Sequence, residues 1–233
     1  MVVKLLQAQD IASGSFALIL LAMLASAVLL LAGTAWVPRK WKLAVALCGI
    51  TTLVSAAHYL MANDVWLATG QLTVIHRYVG WFLTVPLQVV TLYFFVGAFA
   101  TLPLGLFWRL LVAAVLMVLA RFMGEAGLMH PTLGFLLGLA LWLYILGEAF
   151  FGRMSERTAK DGSASAQRGY FWIRLIVTIG WAVYPLCYFI AAFSGGVEVR
   201  KLIVTYNLAD FVNQIAFALA VLTVAMNANA ARD

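Results

Sequence analysis

Charged residues are scarce in this sequence. Asp, Glu, Lys and Arg make up 10% of its 233 residues, whereas 65% are apolar, and the mean hydropathy is +1.00. About a quarter of a soluble globular domain is charged, so the composition excludes that class and predicts a membrane protein. The net charge of +6 is attributed to membrane topology, and we expect no nucleic-acid partner.

Cysteine and histidine are also rare. The two cysteines, Cys48 and Cys187, lie in apolar runs, where packing is a better explanation than a disulfide. The three histidines are too scattered along the sequence to suggest a metal site. Because no pair of nucleophile and base is visible, we expect no enzymatic activity.

Apolar runs are abundant, and seven are long enough to cross a bilayer. They cover residues 14–36, 43–62, 74–97, 104–128, 131–151, 169–193 and 202–226. This predicts an all-α membrane protein, a seven-transmembrane-helix bundle forming a single domain over residues 1–233. Lys and Arg concentrate between spans one and two and between spans five and six, which indicates cytoplasmic loops there and an N-terminus outside. The polar stretch 153–169 predicts a flexible cytoplasmic loop, and 64–78 a short hairpin.

Three spans carry polar or aromatic side chains on one helical face. At 100° per residue, the aligned positions are Arg77, Gly80, Trp81, Thr84, Gln88 and Thr91 in span three; Trp181, Tyr184, Pro185 and Tyr188 in span six; and Asn207, Asp210 and Gln214 in span seven. Ordinary bundle packing could explain the aromatic stripe. Ionisable groups in a bilayer indicate a functional site by default.

The two charged side chains in these stripes predict an ion pair. Arg77 and Asp210 would compensate each other, because a lone charge in hydrocarbon is costly. A hydroxyl of Tyr59 or Tyr184 could satisfy the remaining carboxylate lone pairs. A purely structural clasp between helices three and seven is the alternative interpretation.

Several motifs resemble those of a known family. The stretches are RYVGWFLTVPLQV, GEAG, GWAVYPLCYF and YNLADFVN, and they resemble microbial (type 1) rhodopsins, proteorhodopsins most closely, over nearly the whole chain. The resemblance implies a seven-helix bundle around retinal, bound as a protonated Schiff base to a lysine on helix seven. It also implies a helix-three aspartate that accepts the proton and a second helix-three acid that returns one.

Much of the family's retinal pocket has a counterpart here. The positions similar to the chromophore-lining residues are Trp81, Thr84, Gln88, Trp181, Tyr184 and Tyr188. Arg77 and Asp210 match the family's arginine and second counterion, with Tyr59 as a partner. His58 matches a helix-two histidine that touches neighbouring protomers, so the resemblance makes it an oligomer-interface candidate.

The resemblance fails at the three positions that carry the family's chemistry. Gln214 stands at the lysine position, Gly80 at the acceptor position and Thr91 at the donor position. The five lysines all lie outside the middle of the spans, and Lys201 is about 20 Å from Gln214 along a helix. An amide is not a nucleophile towards an aldehyde, so we expect no covalent retinal. With one cation and one anion absent together, Arg77 and Asp210 still balance.

These observations leave several functions open. The first is an oligomerising or modulatory opsin-like subunit of a prokaryotic inner membrane, in rings of its own or with a lysine-bearing rhodopsin. The alternative is a photoreceptor or sensor that binds retinal or a carotenoid non-covalently, because Gly80 and Gln214 would leave unfilled volume. Light-independent ion transport is a third interpretation. Glu125 and Glu148 are expected at the interface, and Arg121 to extend towards it.

Overall fold

The protein is a bundle of helices. The computed structural model describes residues 8–71, 74–193 and 198–230. The helices are α1 (Ala8–Gly33), α2 (Lys42–Thr69), α3 (Val74–Gly97), α4 (Leu104–Glu125), α5 (Pro131–Phe151), α6 (Arg153–Asp161), α7 (Ala164–Leu175), α8 (Trp181–Phe193), α9 (Val199–Asp210) and α10 (Phe217–Ala230). Strands are absent from this described part of the chain.

Within the described residues, seven continuous helical stretches are long and apolar enough to cross a membrane, which confirms the predicted seven-helix, all-α fold. Helices α1 to α4 form the first four, and the fifth, Pro131–Asp161, comprises α5 and α6. Spans six and seven are each interrupted by a π-helical segment. Ile176–Gly180 joins α7 to α8, and Phe211–Ala216 joins α9 to α10.

Buried side chains recur at helical spacing, and the first span illustrates the pattern. Phe16, Ile19 and Met23 are each at most 1% exposed and face α2 and span seven. Between them, Leu18 and Leu21 are 59% and 64% exposed. Large apolar side chains therefore cover the outside as well as the inside, as expected of helices surrounded by lipid.

Two sequence-based expectations about the connections are wrong. The stretch 153–169 is helical, since α6 and the start of α7 occupy it except near Gly162. Met154 and Thr158, one turn apart, are buried and fix α6 to the bundle. The stretch 64–78 contains no hairpin among its described residues: α2 runs to Thr69, and residues 72–73 lie outside the described part.

Spans four and five approach each other closely through glycines. A Cβ placed on Gly134 would lie 2.6 Å from the Ala120 carbonyl oxygen and 2.8 Å from the Gly124 Cα. Both neighbours are backbone atoms, so no side-chain rotation could relieve the contact. Small residues are what allow helix backbones to pack this tightly in a membrane.

We expect Gly134→Ala to lower the free energy of unfolding by about 1–3 kcal/mol, the usual cost of overpacking. Gly147→Ala is the matched control on the same helix, because a Cβ there meets no atom within 4 Å. Thermal unfolding of both variants in one detergent checks the difference. Equal midpoints would contradict the close approach of the two helices.

Candidate functional site

A cavity lies inside the bundle between spans three and seven. Its volume is about 90 Å³, which is room for several water-sized groups. Its lining residues are Tyr78, Trp81, Thr84, Val85, Gln88, Met117, Val118, Arg121, Gly138, Leu139, Trp142, Trp181, Tyr184, Pro185, Asp210 and Gln214. The wall is mostly aromatic and aliphatic, with a few polar groups converging on it.

Asp210 is fixed by two tyrosines. The Tyr59 hydroxyl donates to Oδ2 at 2.6 Å, and the Tyr184 hydroxyl donates to Oδ1 at 2.5 Å. The aspartate is only 7% exposed, and both of its oxygens are satisfied by these donors. The expected role of Tyr59 and Tyr184 as partners of this carboxylate agrees with the geometry.

The expected ion pair between Arg77 and Asp210 is wrong among the described residues. The Arg77 guanidinium instead approaches Glu125, with Nη2 3.8 Å from Oε2, and lies 5.1 Å from the centre of the Tyr206 ring. A second cavity of about 130 Å³ has both Arg77 and Asp210 in its wall. Arg77 is thus placed beside the carboxylate of span four, while Asp210 accepts its hydrogen bonds from the two tyrosines.

Glu125 is the centre of a second buried cluster. It accepts hydrogen bonds at Oε1 from the Tyr78 hydroxyl at 2.7 Å and from Arg121 Nη2 at 3.0 Å. The Arg121 guanidinium also lies over the Tyr188 ring, 4.3 Å from its centre. Arg121 therefore faces the bundle interior rather than the interface, and Glu125 is its partner. Their spacing of one helical turn was the sequence signal that could have revealed this pair.

Gln214 lies in the π-helical segment of span seven and is 5% exposed. Its side-chain oxygen accepts a hydrogen bond from the Ser55 hydroxyl of α2. One residue earlier, the Asn213 carbonyl accepts from Gln88 Nε2 at 2.8 Å, and Asn213 Nδ2 donates to the Tyr184 hydroxyl at 3.0 Å. A continuous set of hydrogen bonds therefore connects spans two, three, six and seven around this position.

The two π-helical segments face each other. Gly180 of span six leaves room for the Asn213 side chain, which a Cβ at that glycine would overlap. On the other side of span six, the Val177 carbonyl accepts from the Trp142 indole at 3.2 Å. Single-turn π-helical insertions in α-helices occur frequently at functional sites, where they redirect backbone groups.

Gly80 does not leave empty volume, contrary to expectation. A Cβ at this position would lie 2.8 Å from the Cγ and Cδ2 atoms of His58. The His58 ring thus covers the α3 backbone at Gly80 and packs edge-on against Tyr59, with 5.7 Å between ring centres. The missing side chain at Gly80 therefore does not account for the main cavity, and Gly80 is not among its lining residues.

The remaining predicted positions fall in distinct places. Thr91 is 1% exposed, and its hydroxyl donates to the Leu87 carbonyl at 2.7 Å. Thr91 and Gln214 also border a narrow gap that is too small for a water molecule. Tyr188 does not line the main cavity; it stacks on Phe135 with 5.6 Å between ring centres. Groups of three or more metal-binding side chains are absent from the described residues.

The fold and the internal cavity define a seven-helix membrane protein with an aromatic-lined cavity at its centre. Residues 10–228 match the family described as "Bacteriorhodopsin-like protein", and the chain belongs to that family. The blue-light absorbing proteorhodopsin of Gamma-proteobacterium Hot 75m4 is 36% identical over 223 residues, or 95% of this chain and 88% of the relative. The green-light absorbing proteorhodopsin of Gamma-proteobacterium EBAC31A08 is 35% identical over 95% of this chain and 89% of that protein.

Solved structures agree with these sequence relatives. The crystal structure of blue light-absorbing proteorhodopsin from Med12 superposes with a TM-score of 0.80 at 36% identity, covering 93% of this chain and 98% of that chain. The resemblance to microbial rhodopsins and to proteorhodopsins is thus confirmed. With seven apolar spans and bacterial relatives, the chain is a multi-pass protein of the bacterial cell membrane.

We expect Gly80→Ala to destabilise the protein by about 1–3 kcal/mol, because its methyl group would meet the stem of the His58 ring. In a His58→Ala background the same change should cost little, giving a coupling of about 1 kcal/mol or more in a double-mutant cycle. Unfolding titrations of the four proteins measure it. Additive effects would show that the two residues do not pack together.

Proposed function

We propose that this chain is a rhodopsin-fold membrane protein that binds an elongated apolar ligand, such as retinal or a carotenoid, without a covalent bond. The observation that carries the proposal is an aromatic-lined cavity beside an amide. Trp81 and Trp181 line this cavity of about 90 Å³, while the Gln214 side chain on the same wall is engaged by Ser55. A polyene would enlarge it by moving the side chains of the wall. The predicted pocket residues other than Tyr188 line a cavity, and an amide stands where the family resemblance led us to expect a lysine.

The available amines support the absence of a Schiff base. Four lysines lie near helix ends, and none of them is among the residues that line the cavity: Lys40, Lys42, Lys160 and Lys201. Lys201 forms an exposed ion pair with Glu198 at 3.3 Å. Lys4 lies outside the described residues. An aldehyde in the cavity would meet the Gln214 amide, which does not react as an amine does.

The lining fits a flat, unsaturated chain. Trp81, Trp142 and Trp181 present large apolar ring surfaces, and Thr84 and Gln88 add a few polar contacts. Ligand sites of this composition hold their ligands mainly by apolar burial, with polar groups fixing the orientation. The same lining would hold retinal or part of a longer polyene.

We do not propose light-driven proton pumping for this chain. Its acceptor position, Gly80, has the His58 ring in place of a carboxylate. The hydroxyl of Thr91, at the donor position, is bonded to the Leu87 carbonyl within its own helix. Glycine and threonine do not ionise as the expected acids would, so these two positions cannot accept and release protons.

A second proposal is that the chain assembles with copies of itself or with a lysine-bearing rhodopsin and modifies that partner. The position of His58 favours it. This residue is partly exposed, and its neighbours Ala57 and Leu60 are exposed apolar residues, so the ring lies at an apolar outer surface. A polar ring at a lipid-facing surface is better accommodated by a protein neighbour. Co-expression of two differently tagged chains, followed by purification through one tag, tests it; failure of the second chain to follow removes this proposal.

Purified protein mixed with all-trans-retinal should retain it through gel filtration and shift its absorption band. Leu139→Trp, which fills the cavity from α5, should reduce the retained ligand at least tenfold by removing space for it. Leu136→Trp is the control, because Leu136 is on the same helix and 53% exposed to the outside. Carotenoid is tested in parallel; retention of neither polyene by the wild-type protein contradicts the proposal.

A further inference from the structure

One charged group in the cavity wall has no role in holding a neutral polyene. Arg121 of α4 lines the cavity together with Met117, Val118 and Gly138. Its side chain is only 13% exposed, and its neighbours on this part of the wall are apolar, whereas the polar lining residues Thr84, Gln88, Asp210 and Gln214 belong to spans three and seven. A buried guanidinium at an apolar ligand site is costly unless it has a partner of opposite charge.

The fold accommodates this arginine specifically. A Cβ at Gly138 of α5 would lie 2.6 Å from Arg121 Cγ and 2.7 Å from Cδ, so the absence of a side chain there makes room for the arginine stem. The rings of Tyr188 and Phe135 lie 4.3 and 5.4 Å from the guanidinium carbon. These contacts hold Arg121 against the cavity wall and keep it from extending to the membrane surface.

The charges around Arg121 do not balance. Glu125 is shared by two cations, with Arg121 Nη2 at 3.0 Å from Oε1 and Arg77 Nη2 at 3.8 Å from Oε2. Two guanidinium groups share one carboxylate in this cluster. Asp210 also lines the cavity, but its oxygens accept from two tyrosine hydroxyls, and among the described residues the ion pairs of both arginines are with Glu125.

Arg121 also has hydrogen-bond donors to offer. A guanidinium carries five N–H groups; Arg121 Nη2 donates to Glu125, the Tyr78 hydroxyl is a second polar neighbour, and further N–H groups remain for a ligand. Planar carboxylates match the remaining donors of such a group with bidentate geometry.

We propose that the ligand of this cavity is a long-chain carboxylate, with its carboxylate paired to Arg121 and its apolar chain extending between Trp81 and Trp181. This rests on the proposed function and adds the ligand's charge and orientation. The Asp210 carboxylate on the α9 side disfavours the reverse orientation. A polyene acid and a saturated fatty acid share this chemistry.

The test compares two ligands that differ only in charge. All-trans-retinoic acid and all-trans-retinol are titrated into the wild-type protein in nanodiscs of uncharged lipid, and dissociation constants are read from the quenching of tryptophan fluorescence. The acid should bind roughly 10- to 100-fold more tightly, the range for a charged hydrogen bond. Displacement of the retinoic acid by palmitate would extend the ligand class to fatty acids; displacement by polyene acids alone would restrict it to them.

Variants test the role of the arginine. Arg121→Gln should abolish the preference for the acid, and Arg121→Lys, which keeps the charge with the Glu125 partner, should retain part of it. Arg174→Gln is the matched control, because Arg174 stacks on Phe150 and Tyr170 away from the cavity and should leave the preference unchanged. Thermal midpoints of all variants establish that they are folded.

Two outcomes overturn the inference, and they separate it from the proposed function. If retinol binds as tightly as retinoic acid, or if Arg121→Gln and Arg121→Lys leave the preference unchanged, non-covalent binding stands and the carboxylate is rejected. If neither retinoid binds the wild-type protein, the binding function fails as well.

Discussion

The buried carboxylate of Asp210 is the constraint on which the site depends. Tyr59 and Tyr184 donate to its two oxygens from α2 and α8, and Tyr184 in turn accepts from Asn213 in the π-helical segment. Three spans are thereby tied to one side chain. Each oxygen of Asp210 has a tyrosine donor, while Arg77 lies beside Glu125, so the buried carboxylates belong to two separate clusters.

The cavity owes its shape to the same arrangement. Ser55 holds the Gln214 amide at one wall, Arg121 stands at another between α4 and α5, and tryptophan rings lie between them. His58 occupies the space that Gly80 would otherwise leave. A lysine at position 214 would add a cation beside Asp210, whereas Gln214 is neutral and is bonded to Ser55.

Much of this could be predicted from the sequence, and the exceptions have physical causes. Seven spans follow from run length alone, and the spacing of Trp81, Thr84 and Gln88 correctly predicted one shared face. The partner of Arg77 could not be predicted, because it depends on the relative heights of spans three and four. The helix at Arg153–Asp161 was missed because its small polar residues suggested a loop, although Met154 and Thr158 form a buried face. The π-helical segments have no signature in periodicity, and His58 covering Gly80 is a contact between helices.

The central claim is that no amine in this chain holds a polyene at the seventh span. The most direct measurement is borohydride reduction of the native protein after incubation with all-trans-retinal, followed by intact mass spectrometry and peptide mapping. We predict that the 25.4 kDa chain is recovered without a stoichiometric adduct, even when retinal is retained before reduction. A stoichiometric retinyl adduct together with a red-shifted visible band before reduction would contradict the account.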